Sequence, residues 1–337
     1  MEAMPESELP VGSEWHYEPK WDGFRCLAFR DGSHVDLESK SQKPLTRYFP
    51  ELVAALLELK AQRFVLDGEI VIPAGGSLSF DHLLMRIHPA ESRVLKLSKE
   101  TPCVFIVFDL LVDERGRSLV GRPLEERRGS LERFAKAYLS RDSKPRNANH
   151  TIRLSPVTDK IDVARKWFHM GIGLDGIIAK RDDLPYQTGE RTGMQKIKKR
   201  RTADCVVGGF RYLEKEPLVG SLLLGLYNDQ GLLDHVGFSS SIHREDRAAL
   251  TKKLEALVRP PGFTGKAPGG LSRWSTKRSM EWQPLAPKLV VEVEFDHFTG
   301  GRFRHGTRFV RWRPEKAARD CTMEQVKREN RSALGLL

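Results

Sequence analysis

The chain has 337 residues, 39% hydrophobic and 30% charged, enough for two domains with separate cores and too polar for a membrane-embedded protein. No apolar run reaches the roughly 20 residues that a bilayer-spanning helix needs, and Met1 to Glu14 lacks the basic start and apolar core of a secretion signal, so a cytoplasmic protein is expected. Lys and Arg exceed Asp and Glu by 11, at a pI near 9.5, a balance that favours a polyanionic partner.

In chain order, Leu52 to Lys60 reads as a helix, and Val65 to Ile72 and Val104 to Leu111 as strands rich in Val, Ile and Phe. Leu124 to Tyr138 reads as a helix, Arg141 to His150 as a polar loop around Pro145, and Gly176 to Lys180 as a strand. The texture changes after Lys199-Arg200-Arg201. Cys205 to Tyr212, Ser221 to Tyr227 and Leu232 to Phe238 are short strands, with a turn at Asn228-Asp229-Gln230-Gly231. His243 to Val258 reads as one helix, Arg259 to Gly270 as a Pro/Gly-rich loop, and Leu289 to Phe295 and Arg302 to Trp312 as closing strands. The class is α+β: a first domain over 1–202 of antiparallel sheets flanked by helices, then a small β-barrel of OB type over 203–337. Cys26, Cys103, Cys205 and Cys321 are far apart, with no Cys-x-x-Cys pair. That spacing excludes a zinc ribbon and leaves idle, buried thiols.

Charge is unevenly spread. Arg191 to Arg201 carries six basic residues, and Arg302 to Arg319 carries seven with one acid. Several short clusters combine charge with glycine. Glu18-Pro19-Lys20-Trp21-Asp22-Gly23-Phe24-Arg25 places an amine beside carboxylates and a permissive turn. A lysine attacks phosphorus only when unprotonated, so neighbouring cations that disfavour the ammonium are expected to depress its pKa. Arg25 is one such cation, and Lys196 and Lys198, alternating on one face of an extended segment, are two more. Asp67-Gly68-Glu69 and Asp175-Gly176 end apolar runs with carboxylates that suit a divalent ion or a ribose hydroxyl. Phe105 to Leu111 offers an aromatic that either packs in a core or stacks on a purine.

These clusters occur in one order: Lys20-x-Asp-Gly-x-Arg25, Asp67-Gly68-Glu69, Phe105-x-x-Phe108-Asp109, Asp175-Gly176-Ile177-Ile178-Ala179-Lys180, Lys196-x-Lys198 and Arg311-Trp312-Arg313-Pro314-Glu315-Lys316. The series resembles the covalent nucleotidyltransferase superfamily of DNA ligases, RNA ligases and mRNA capping enzymes, over roughly residues 15 to 320. Within it, Tyr17 to Arg25, Thr46 to Pro50, Arg86 to Arg93 and Arg201 to Val207 are similar to the small ATP-dependent DNA ligases of actinobacteria, the LigC type. The resemblance implies a nucleotidyltransferase (adenylation) domain followed by an OB domain. It implies that Lys20 attacks the α-phosphorus of ATP, that AMP passes to the 5′-phosphate of a DNA nick, and that the 3′-hydroxyl then displaces it.

The resemblance also implies roles. Glu18 reads the adenine amine, Phe108 stacks on adenine, and Arg25 and Glu69 hold the ribose. Lys196 and Lys198 grip the α-phosphate, Asp22 and Asp175 lie near Mg2+ or Mn2+, and Arg313 and Lys316 orient pyrophosphate. The family usually has Glu where Asp175 stands, and Arg where Lys40 stands; Lys40 keeps the charge toward phosphate and loses the bidentate fork. The expected partner is nicked duplex DNA, with a functional link to a gap-filling polymerase, no membrane, and a monomeric state. The same lysine chemistry also serves RNA ligation or guanylyl transfer, and an idle nucleotide- and DNA-binding module is the remaining alternative.

Overall fold

A computed structural model describes residues 1–139, 151–169, 174–198, 201–269, 281–326 and 333–336. The expected loop at Arg141 to His150 lies outside them, as do Lys199 and Arg200. The chain divides into two compact units, Met1–Lys199 with Glu329–Leu337, and Arg200–Arg328. The expected second domain runs from 203 to 337. Residues 333–336 instead group with the first unit, where Leu336 packs on the core that holds Leu78.

The first unit has two main sheets, beside a short hairpin that pairs Pro73–Ala74 with Ser77–Leu78. One is built from β1 (Met4–Glu6), β2 (Trp15–Trp21), β8 (Leu174–Arg181) and β9 (Met194–Lys198), in the order β1-β9-β8-β2. The other is built from β3 (Phe24–Asp31), β4 (His34–Ser39), β5 (Arg63–Val71), β6 (Val104–Val112) and β7 (Ile152–Leu154), in the order β4-β3-β5-β6-β7. Pairing is antiparallel except for β1 with β9 and β6 with β7. Helices α1 (Pro50–Glu58), α2 (Phe80–Arg86), α3 (Glu91–Glu100), α4 (Leu124–Tyr138) and α5 (Ile161–His169) complete the unit.

Strand β2 shows why the sequence folds this way. Trp15, Tyr17 and Trp21 point into a core with Ile177 and Ala179 of β8 and Trp167 of α5. The alternate residues His16, Glu18 and Lys20 therefore share the opposite face. Pro19 is tolerated because β2 is an edge strand. A larger core joins Leu66 and Ile70 of β5 and Phe105 and Val107 of β6 to Leu52 and Leu56 of α1 and Leu131 and Phe134 of α4. Each such side chain contributes about 1.5–3 kcal/mol on leaving water. Helix α4 has the expected bounds, and its inward face at Leu124, Arg127, Leu131 and Phe134 follows helical spacing. Arg127, fully buried, donates to both oxygens of Asp109 at 2.9 Å and ties α4 to β6.

The main sheet of the second unit is antiparallel and ordered β12-β11-β10-β13-β14, from β10 (Arg201–Tyr212), β11 (Val219–Tyr227), β12 (Leu233–Ser239), β13 (Val290–Phe295) and β14 (Arg308–Trp312), with Gln283–Pro284 also pairing to β10. Among the described residues the sheet of the expected OB-type barrel does not close into a continuous ladder. Strands β12 and β14 approach each other through a single bridge, Ser239 with Thr307. Side chains then replace the ladder: Ser239 Oγ donates to the Thr307 carbonyl, and the Phe309 amide donates to Ser241 Oγ. The expected strand Arg302 to Trp312 is also split. Gly300 and Gly301, both at positive φ, turn a short hairpin that pairs Thr299 with Arg302. The expected helix His243 to Val258 shrinks to α6 (Arg247–Glu255). Bonds from Arg247 N to Arg244 O and from Val258 N to Glu255 O tighten its flanks into turns. All four cysteines are buried thiols, and no described helix is long and apolar enough to cross a membrane.

Candidate active site

One cavity of about 230 Å³ in the first unit is lined by Glu18, Lys20, Arg25, Lys40, Glu69, Phe108 and Lys196. These seven expected residues come from five strands and the turn after β4, and strand alternation is what gathers them. Glu18 and Lys20 stand on the outward face of β2, and Glu69 lies opposite Arg25 across the β3–β5 ladder. Two bulges shape the site. Phe108 is the extra residue where Asp67 pairs with Asp109 but Gly68 pairs with Val107. Asp175 is the extra residue between the pairs Leu174–Trp21 and Gly176–Lys20. Bulges of this kind re-aim a side chain. Gly176 permits the second, because its φ is +139° and a Cβ there would sit 2.0 Å from the Ile197 carbonyl oxygen.

Asp175 is the electrostatic hub. Its Oδ2 lies 2.5 Å from Lys20 Nζ and 3.2 Å from Lys198 Nζ, and the residue is 4% exposed. The expected depression of the Lys20 pKa is therefore corrected. Burial acts to lower it, but Asp175, with Glu69 and Asp22, outweighs burial and raises it above the ordinary lysine value. Lys198, one of the cations expected to depress it, is itself paired with Asp175. Lys196 does shift downward, through burial and the repulsion of Lys198, Lys20, Lys40 and Arg191. Burial pushes the Glu69 carboxyl up to about 7, against the pull of Lys20 and Arg25, and its Oε1 accepts from the Gly23 amide at 3.2 Å.

Arg25 is held in a fork by buried Asp67, with Nε to Oδ1 at 3.0 Å and Nη2 to Oδ2 at 2.6 Å. It also donates to the Met1 carbonyl at 2.5 Å and to Tyr186 Oη at 3.3 Å. Lys40 is exposed and lies 3.0 Å from Glu2. Glu18 is buried, and Lys180 Nζ at 2.8 Å and His16 Nε2 at 3.3 Å both reach its Oε1. Burial alone would raise the Glu18 pKa, but Lys180 and His16 hold it down at about 2. Lys180 Nζ lies 4.5 Å from the Phe108 ring centre, and the Arg25 guanidinium carbon lies 5.7 Å from it.

Lys180, Ile178, Trp21 and Met194 also line the cavity without having been selected from sequence. Lys180 was visible as the cation closing Asp175-Gly176-Ile177-Ile178-Ala179-Lys180; alternation with Ile178 along β8 is the signal that places it. His16 gave a signal only through alternation with Glu18. Among the described residues, no group of three His, Cys, Asp or Glu side chains converges as a metal site. In the second unit, Arg313 Nη1 lies 2.9 Å from Asp204 and 3.2 Å from Glu292, and Nε lies 2.5 Å from Glu315. Lys316 follows in the turn closed by its amide on the Arg313 carbonyl, at 3.1 Å.

Residues 6–198 match the family model described as ATP dependent DNA ligase domain, and residues 215–316 match the ATP dependent DNA ligase C terminal region. DNA ligase C2 of Mycolicibacterium smegmatis is 44% identical over 95% of this chain and 91% of its own length. DNA ligase C of Mycobacterium tuberculosis is 42% identical over 96% of this chain and 93% of its own. A solved DNA ligase of the Lig E type aligns with a TM-score of 0.54 at 16% identity, covering 93% of this chain and 100% of that one, and shares the fold. With nearly the whole chain matched, the protein belongs to the ATP-dependent DNA ligases.

Proposed function

We propose that the cavity binds ATP and that Lys20 becomes covalently adenylated there, so that the enzyme seals 5′-phosphate/3′-hydroxyl nicks in duplex DNA. The observation that carries this reading is Lys20 Nζ beside Asp175 on the wall of a cavity that also holds Glu18, Glu69, Phe108 and Lys196. Glu18 reads the base and Phe108 stacks on it. Glu69 and Arg25 face the ribose, and Lys196 and Lys198 hold the α-phosphate, with Lys40 adding charge toward phosphate. Lys20 must shed its ammonium proton before attack, and Asp175 is the nearest acceptor. The nitrogen–phosphorus bond then forms as the bond to the β-phosphate breaks and pyrophosphate leaves. The first unit carries this chemistry, and Arg313 and Lys316 of the second orient the pyrophosphate.

The donor set offers carboxylates, Asp175 and Asp22, rather than a complete protein cage. Mg2+ is commonly held by one or two carboxylates plus substrate phosphates rather than by an all-protein cage. Asp175 and Asp22 would hold Mg2+ or Mn2+, which would neutralise phosphate charge. The enzyme acts as a cytoplasmic monomer on nicked DNA in repair, after gaps are filled by a polymerase. Incubation with α-labelled ATP, GTP or NAD, followed by denaturation, tests the first step. Label from ATP alone, then sealing of nicked duplex DNA, is expected; label from GTP, or stable labelling without any sealing, would overturn the reading.

A further inference from the structure

Beside the cavity runs a row of charged side chains, of which Glu18 and Lys180 line it and His16 and Asp182 do not. His16 and Glu18 are neighbours on the outward face of β2, and Lys180 stands opposite His16 on β8. The row runs Asp182, His16, Glu18, Lys180, with signs alternating when the imidazole is protonated. His16 Nδ1 meets Asp182 Oδ1, and His16 Nε2 meets Glu18 Oε1. Both ring nitrogens therefore face carboxylate oxygens, an arrangement that needs two N–H donors. His16, Glu18 and Lys180 are 5%, 2% and 4% exposed, so water cannot substitute for these partners.

The two partners of Glu18 converge on one oxygen, Oε1, leaving Oε2 as the oxygen neither engages. A carboxylate gripped on one side by two cationic donors from adjacent strands has a fixed plane. Lys180 links that plane to the expected stacking surface, because its Nζ also lies 4.5 Å from the Phe108 ring centre. His16 does not line the cavity; it reaches it only through Glu18. Its own anchor, Asp182, comes from the turn after β8, and the Asp182 amide is bonded to the Glu14 carbonyl at 3.0 Å.

We infer that His16, anchored by Asp182, is a positioning residue that orients Glu18 toward the exocyclic amine of the purine and so sets selectivity for the 6-aminopurine triphosphate. The inference rests on the proposal that this cavity takes the nucleotide with Glu18 at its base. A carboxylate aligned on an amine loses much of its discrimination when displaced by an ångström or less.

The test compares the initial rate of self-adenylation of the full chain with ATP and with purine riboside triphosphate, which lacks the exocyclic amine. The wild type is expected to favour ATP, and equal rates with the two nucleotides would overturn the inference. His16→Gln is expected to reduce that preference about tenfold, through a higher KM for ATP, with the saturated rate within about twofold of wild type. Asp182→Asn, a milder change at a half-buried residue, is expected to move the ratio in the same direction by a smaller factor. A folded His16→Gln with the wild-type ratio, or one that weakens both nucleotides equally, overturns the inference. Should His16→Gln fail to fold, an unchanged ratio in Asp182→Asn does so. Glu18→Gln separates the two levels: no change of ratio there sinks the assignment of Glu18 to the base, whatever His16 does.

Discussion

In the first unit, seven residues expected from sequence line one cavity, and several of their charges are balanced by neighbours around it: Lys20 by Asp175, which Lys198 shares, Glu18 by Lys180 and His16, Arg25 by Asp67. In the second unit, Arg313 is engaged by three carboxylates of its own unit, Asp204, Glu292 and Glu315. In the first arrangement, charges are held in fixed positions by partners within the same unit. The second is a cation held in local ion pairs and only partly buried, from which it is released at modest cost. The contrast parallels the proposed roles, covalent chemistry at Lys20 and leaving-group orientation by Arg313.

Four variants break or sharpen this contrast. Lys20→Ala should lower self-adenylation by about 10⁴-fold or more, as loss of a covalent nucleophile does, measured by label retained after denaturation. Asp67→Ala should destabilise the first unit by about 3 kcal/mol, because Arg25 loses both fork bonds in a buried setting; thermal or denaturant unfolding of the variant reads this. Arg313→Ala should slow self-adenylation by about 100-fold while sealing of a pre-adenylated nick falls far less. An equal loss in both steps would remove the proposed division.

The smallest effect concerns the second unit and pH. His235 is buried, its Nε2 has no hydrogen-bond partner among the described residues, and burial with Arg302 and Arg211 pulls its pKa down to about 4. A histidine whose folded pKa lies below its ordinary value stabilises the fold above that ordinary value and loses the contribution as pH falls toward the folded one. Unfolding free energy should drop by about 2 kcal/mol between pH 7 and pH 5 from this group, and His235→Gln should flatten that limb. An unchanged acid limb in His235→Gln would show that other groups control it.

Much of the site was legible because strand alternation is written in residue order. Trp15-His16-Tyr17-Glu18 gives both faces of β2, and helix α4 keeps its expected bounds because its apolar spacing has no competitor. The fork from Arg25 to Asp67 and the contact of His16 with Asp182 join residues 42 and 166 positions apart, which no local pattern encodes. The Lys20 pKa was misjudged for the same reason. Counting Lys196 and Lys198 as cations is sound, but the bulge that turns Asp175 toward both Lys20 and Lys198 is set by pairing between β2 and β8. The barrel was overdrawn because short strands with turns announce a sheet, whereas closure depends on edge contacts. Here Ser239, Ser241 and Thr307 supply side-chain bonds in place of a ladder.

The central claim is that Lys20 carries the adenylate. Peptide mapping by mass spectrometry, after the purified protein is exposed to ATP and Mg2+ or Mn2+, tests it most directly. The account predicts an AMP adduct on the peptide that contains Lys20, released by acid and absent when GTP replaces ATP. An adduct confined to another residue, such as Lys196 or Lys198, would contradict it.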